Sequence, residues 1–233
     1  AGSVVLPLHN PVRVAEEWSV VDNLSGGRVG LSFASGWHAD DFVLAPDNYD
    51  ARRELMWSGI ETIRTLWSGA PLTLRNGKGA DVEVRLHPAP IQKDVPLWIT
   101  TAGSPDTFRL AGERGANVLT NMLGQSREQL AEKIAAYRAA RREHGHAGPG
   151  LVSLMLHTHV GEDVSLVREK VRRPFTEYLR TSTDLIQRAA WYFPAFAGSG
   201  DRATGAELDG ASSADIDALL AHAFERYFET HGL

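Results

Sequence analysis

The 233-residue sequence contains no cysteine, which excludes disulfide bonds, thiolate nucleophiles and cysteine-based zinc sites together. It has no apolar run approaching the roughly 18 residues a membrane-spanning helix needs, and its start, AGSVVLPLHNP, carries neither a basic leader region nor a cleavage pattern. The cytoplasm is therefore the default location. Positive charge is not in surplus: the net charge is −5 and the arginines are dispersed, so no basic stripe invites nucleic acid or an anionic membrane. Ser-x-x-Lys, Gly-x-Ser-x-Gly, P-loop and EF-hand patterns are also missing, which weakens hydrolase and kinase readings. What is present, 43% hydrophobic and 23% charged residues, suffices for a sizeable core.

Hydrophobic periodicity divides the chain into alternating strands and helices. Strands are expected at Gly2 to Leu6, Arg28 to Ala34, Val95 to Thr101, Ala116 to Thr120 and Leu151 to Val160. Helices are expected at Pro11 to Leu24, Tyr49 to Ser68, Ser104 to Arg114, Arg127 to His144 and Val164 to Leu179, with a helical continuation at 183–193 and a last helix running from Ile216 through Tyr227. Pro11 suits a first helical turn, and Ser126 with Gln129 forms a capping box. Leu72 to Leu86, turning at Asn76-Gly77, reads as a hairpin insertion within about 71–90 that gives local cover, and 198–213 reads as a mobile loop. The segment is expected to be one partial domain of a longer protein, because it opens without Met in an apolar run and ends just past a helix.

Five near-continuously apolar strands alternating with helices imply a parallel sheet covered by helices. An open doubly wound sheet and a closed (β/α)8 barrel both satisfy that pattern. Two features favour the barrel: no G-x-G-x-x-G opens a helix, and polar residues gather after the C-terminal ends of the strands.

Three clusters could carry chemistry. In Thr100-Thr101-Ala102-Gly103-Ser104-Pro105-Asp106-Thr107 a strand passes through glycine into a helix capped by Ser104, and free N–H groups at such a start bind phosphate. The competing reading is that Ser104 only caps its own helix. In Ser32-Phe33-Ala34-Ser35-Gly36-Trp37-His38 small residues would let a flat ring approach the backbone, with Trp37 and His38 walling the site; a tight turn under Trp37 is the alternative. His157-Thr158-His159 puts two imidazoles on one face of a strand, as in the zinc sites of some barrel hydrolases, but no second histidine pair accompanies it. Asp22, Ser25 and Arg28 around Gly26-Gly27 read as a structural turn, and Trp18, Trp57, Trp67, Trp98 and Trp191 as core.

The same residues carry a family resemblance. Gly2 to Arg13, Ala15-Glu16, Asp22 to Arg28, and Gly36-Trp37-His38 with Asp41-Phe42 resemble the third strand, third helix and fourth strand of bacterial luciferase-like flavin-dependent monooxygenases. PLWITTAGSPDTF at 96–108, HTHVGED at 157–163, YLRTS at 178–182 and HAFERYFET at 222–230 are similar to phrases of the natural-product biosynthesis (MupA-like) branch. The resemblance implies a (β/α)8 barrel of the bacterial luciferase type, with about strands three to seven present. It implies an enzyme that uses FMN, reduced by a separate flavin reductase, and O₂ to hydroxylate a small molecule or a carrier-protein-bound intermediate; a homodimer is compatible with it.

By position, Gly2 and Ser3 would lie against the isoalloxazine, where family members often carry a non-prolyl cis peptide, and Ala34 and Ser35 would flank it. Neither the cysteine nor the arginine of luciferase stands at 34–35, so phosphate binding shifts onto Thr101, Gly103, Ser104, Asp106 and Thr107. His38 and Trp37 would line the substrate side, and His157 would look into the barrel, making His38 and His157 the candidate catalytic residues. No metal is implied. Five of eight strands cannot close a barrel, so the 233-residue segment alone is expected to bind FMN poorly. Two other readings stay open: a metal-dependent barrel hydrolase on His157 and His159, and a non-catalytic remnant within a synthase.

Overall fold

The computed structural model describes residues 2–122, 125–181 and 213–230. The helical continuation expected at 183–193, Trp191, Ser182, most of the loop expected at 198–213 and the final residues 231–233 lie outside them. The elements follow in order: β1 (Val4–Val5), α1 (Pro11–Ser25), β2 (Leu31–Ala34), α2 (Arg52–Trp67), β3 (Leu72–Arg75), β4 (Asp81–Val84), β5 (Leu97–Thr100), α3 (Pro105–Glu113), β6 (Asn117–Asn121), α4 (Arg127–Glu143), β7 (Val152–Met155), α5 (Val164–Thr181) and α6 (Ser213–Thr230). Among the described residues no helix is long and apolar enough to cross a membrane.

Five strands form one parallel sheet in the order β1-β2-β5-β6-β7, while β3 and β4 pair only with each other as an antiparallel hairpin. Apart from that insertion the spatial order is the chain order. A doubly wound sheet reverses direction at a switch point; this sheet does not, so its crossovers all wind the same way and its helices share one face. That is barrel winding.

Burial along the strands shows the consequence. Leu31, Phe33, Leu97, Ile99 and Val118 are buried and belong to one core with Ile60, Ile63, Leu66, Phe108 and Tyr137 from the helices. Alternating with them, Ser32, Ala34, Trp98, Thr100 and Leu119 point to the opposite, inner face. The strands are therefore alternating rather than continuously apolar, and Trp98 is a correction: it leaves the helix-side core and its indole N–H donates to Ser153 Oγ across the inner face at 3.2 Å. Trp67 is core, and Trp18 and Trp57 pack half-buried against it.

Local chemistry sets the boundaries. The Asn10 side chain accepts from the Val12 N–H and Pro11 opens α1, which Gly26 closes in the left-handed conformation. The Ser126–Gln129 capping box forms in full at the start of α4. The first strand is shorter than expected because Leu6–Leu8 turns into a 3-10 segment at Pro7, and β7 stops at Met155 rather than reaching Val160.

Asp22 is the one fully buried carboxylate among the described residues. Its Oδ2 accepts from the N–H groups of Ile91 (2.7 Å) and Gln92 (2.9 Å), and its Oδ1 accepts from Gln92 Nε2, which also donates to Val29 O. This ties the segment returning from the hairpin to the α1–β2 corner just before β5 begins. Burial by itself raises the carboxyl, but the hydrogen bonds from Gln92 and Ile91 outweigh it and hold Asp22 below the usual carboxylate range.

Asp22→Asn replaces an acceptor oxygen by a donor facing N–H groups and should cost about 3 kcal/mol in chemical denaturation, with hydrogen bonds to a charged group worth roughly 1.5–3 kcal/mol each. Because the folded pKa is depressed, the native Asp22 contributes stability above the unfolded value near 4 and loses it as pH falls through the folded pKa. The acid limb of the stability–pH profile should therefore flatten in Asp22→Asn. Ser126→Ala, which removes only a cap, should cost about 1 kcal/mol in the same assay.

Candidate active site

The inner face of the sheet carries a chain of hydroxyls. Thr100 Oγ1, at the end of β5, lies 2.6 Å from Ser32 Oγ on β2 and 2.6 Å from Ser3 Oγ just before β1. Three neighbouring strands thus contribute one hydroxyl each to a short polar line. The Gly2–Ser3 peptide is cis. Gly2 sits so close to β2 and β6 that a Cβ there would lie 3.0 Å from Ser32 Cβ and 2.9 Å from Leu119 Cδ2, so only glycine fits. On β2 the inner face beside this line carries only the small side chains of Ser32 and Ala34, while Trp98 of β5 and Leu119 of β6 stand on the same face farther along.

Beyond Ala34 the chain turns at Gly36, whose φ of +78° and whose approach to the Phe42 ring, 2.8 Å from a Cβ position, both demand glycine. The turn places Trp37 at 59% exposure, with its carbonyl accepting from Tyr49 O–H at 3.5 Å, so Trp37 is not a residue packed over a turn. His38 is mostly covered, and its Nδ1 stands 3.4 Å from Asp40 Oδ2. Ser35 Oγ reaches only its own turn, at Gly36 O.

One strand over, β5 leads through Thr101 into α3. Thr101 is buried and its N–H donates to Leu119 O, which extends the pairing of β5 with β6. Ser104 caps α3: its Oγ accepts from the Thr107 N–H at 3.3 Å. The capping reading therefore holds, yet it does not use up the group, because a hydroxyl that accepts still has its own proton to donate. The Asp106 N–H, a first-turn donor, has no intrahelical carbonyl to bind. A Cβ placed at Gly103 would meet nothing within 4 Å, so the approach to the helix start is open.

Behind this loop lies Lys133, on α4. Its Nζ donates to Gln125 Oε1 at 2.8 Å and to Ala102 O at 3.4 Å, while Gln125 Nε2 donates to Thr120 Oγ1 and to Asn121 O. Among the described residues no carboxylate pairs with Lys133, and burial pushes its ammonium below the usual lysine range.

His157 stands elsewhere. It follows the end of β7, two strands from β5, and is ringed by Phe175, Tyr178 and Tyr227 at centroid distances of 5.0, 4.9 and 5.4 Å. Its Nδ1 lies 2.8 Å from the Tyr227 hydroxyl, whose pKa burial raises above the usual tyrosine value. With His159, Val164, Val171 and Phe224 it lines a cavity of about 990 Å³ between α5 and α6. The H-x-H pair is therefore in a loop beyond the strand, where the period-two argument does not apply, and among the described residues no three His, Asp or Glu side chains converge to hold a metal ion.

The structure thus gathers Gly2, Ser3, Ala34, Ser35, Thr101, Gly103, Ser104, Asp106 and Thr107 along adjacent strands β1, β2 and β5, and sets His38 and Trp37 on the loop leaving β2. It puts His157 among the aromatic rings of α5 and α6. Sequence reasoning passed over Ser32 and Thr100 as individual residues, although period two along β2 marks Ser32 and Ala34 as face-mates. Lys133 and Tyr227 gave no local signal, because their partners Ala102 and His157 lie 31 and 70 residues away.

A profile of the family described as luciferase-like monooxygenase matches residues 1–224. Limonene 1,2-monooxygenase of Rhodococcus erythropolis is 35% identical over 146 residues, covering 60% of this chain and 37% of that protein. The oxygenase component of the flavin-dependent trigonelline monooxygenase of Acinetobacter baylyi is 25% identical over 170 residues, covering 69% and 45%. The chain thus spans about two fifths of the length of these relatives. Among solved structures, the oxygenating constituent of 3,6-diketocamphane monooxygenase from Pseudomonas putida, in complex with FMN, superposes with a TM-score of 0.68 at 15% identity, covering 98% of this chain and 63% of that one. The five parallel strands are those of a (β/α)8 barrel of the bacterial luciferase type, and the chain belongs to the luciferase-like monooxygenase family.

Proposed function

We propose that this chain is the flavin-binding part of an FMN-dependent monooxygenase, with the isoalloxazine against the inner sheet face at Gly2, Ser3, Ala34 and Ser35 and the phosphate at Gly103 to Thr107. The observation that carries this reading is the pairing of a small-residue stretch of β2 with an open, donor-bearing helix start that follows the adjacent strand β5. A flat ring needs the first and a phosphate the second. The residues present fit the cofactor: Gly103 leaves the approach clear, Ser104 O–H and the Asp106 N–H are placed to donate, and no bulky side chain rises from β2 at positions 32 or 34.

Reduced FMN, when bound, supplies the electrons that activate O₂ for insertion into an organic substrate. The protein's own part is positioning. The Ser3–Thr100–Ser32 line presents hydroxyls that can donate to or accept from ring heteroatoms without carrying charge. His38 and Trp37, on the loop from β2, stand at the mouth of the inner face, where they would orient the substrate and shield the site from water. A separate reductase as the source of reduced flavin is supported by the trigonelline relative, which is named as an oxygenase component. Hydroxylation of a carrier-protein-bound intermediate in natural-product biosynthesis rests on the phrases at 96–108, 157–163 and 222–230.

Titration of the protein should show FMN binding about tenfold or more tightly than riboflavin, since one or two hydrogen bonds to a charged phosphate are worth that ratio. Equal affinities for the two flavins, weak as both are expected to be for this segment alone, would contradict the reading. Gly103→Asp adds a carboxylate in open space: the melting temperature should hold while FMN affinity falls about tenfold and riboflavin affinity does not.

A further inference from the structure

A half-buried ammonium with no counter-ion among the described residues is an unusual thing to place behind a loop. Removing a charge from water costs free energy, and proteins normally offset that cost with an opposite charge. Lys133 is instead surrounded by neutral acceptors, Gln125 Oε1 and Ala102 O, which use two of its three N–H donors. Gln125 is fixed in the orientation that serves Lys133, because its own NH₂ group is spent on Thr120 and Asn121. The carbonyl that Lys133 grips belongs to Ala102, the residue before the open Gly103 and two before the Ser104 cap.

We propose that Lys133 is the cationic positioning residue of the phosphate site: it supplies the positive charge that the helix start lacks, and it holds the Ala102 carbonyl so that the N–H groups from Gly103 onward turn toward the anion. The inference rests on the flavin reading above and adds to it the source of the charge. Two observations support the assignment. At 34–35, where the family resemblance locates an arginine, this sequence has only Ala34 and Ser35, so no guanidinium from β2 serves the phosphate. In addition, Asp106 brings a negative charge into the first turn of α3 that would repel a dianionic ligand, and a nearby cation offsets that repulsion. The burial that depresses the Lys133 pKa agrees with a site that an anion completes.

The test compares FMN with riboflavin, which differ by the phosphate alone. Titrations are made by flavin fluorescence on the wild type, Lys133→Met and Lys133→Arg, with melting temperatures taken alongside. Lys133→Met should lower FMN affinity about tenfold and leave riboflavin within about twofold, and Lys133→Arg should keep most of the FMN preference, in line with a charge-assisted contact. In the wild type the FMN preference should also shrink with added salt, and this salt dependence should be weaker in Lys133→Met. An unchanged FMN-to-riboflavin ratio in Lys133→Met, or an equal fall for both ligands, overturns the role. Should Lys133→Met melt far below the wild type, Lys133→Gln, which keeps a donor and removes the charge, decides by the same ratio. A wild type without FMN preference overturns the flavin reading itself, and that result is distinct from a preference that survives the loss of Lys133.

Discussion

The rest of the structure depends on the single winding of its parallel sheet. Because β1, β2, β5, β6 and β7 lie side by side in chain order, the crossover helices all fall on one side, and each strand has one face committed to packing and one that is not. Leu31, Phe33, Leu97, Ile99 and Val118 take the first face; Ser32, Ala34, Trp98 and Thr100 take the second. Stability and ligand approach are thus assigned to opposite sides of the same residues' backbone. Parallel direction also brings every strand's C-terminal end to one rim, so the loops after Ala34 and after Thr100 emerge as neighbours although they are more than sixty residues apart in sequence.

The chemistry of the inner face follows from what that arrangement permits. A face that is not packed against helices can carry hydroxyls, and Ser3, Ser32 and Thr100 satisfy one another at 2.6 Å rather than sinking into the core. Charge is kept at the edges: Lys133 behind the α3 start, His38 with Asp40 on the loop beyond β2. The buried carboxylate, Asp22, lies on the helix side of the fold and works as a clamp on residues 91 and 92, so it serves the architecture rather than the site.

Much of this was legible in the sequence because its signals are local. Pro11 in a first turn, the Gly26-Gly27 turn and the Ser126–Gln129 box mark helix ends through features confined to a few residues, and all three stand where expected. The cap at Ser104 was equally legible. Long-range pairing was not. Nothing near Lys133 reveals that it meets Ala102, and nothing near His157 reveals that Tyr227 will cover it. Trp98 was misjudged for a related reason: in a four-residue strand, composition says apolar, but only the register with β2 and β6 decides which face the indole takes. His157 and His159 failed in the same way, since a strand expected to run to Val160 ends at Met155 and their shared face goes with it.

The central claim is that the inner face and the α3 start together form one flavin site. A crystal structure of the protein grown with FMN tests it most directly. The account predicts the isoalloxazine along Gly2, Ser3, Ala34 and Ser35 with the phosphate at Gly103 to Thr107; a phosphate seated away from the α3 start, or a ring in the aromatic cavity beside His157, would contradict it.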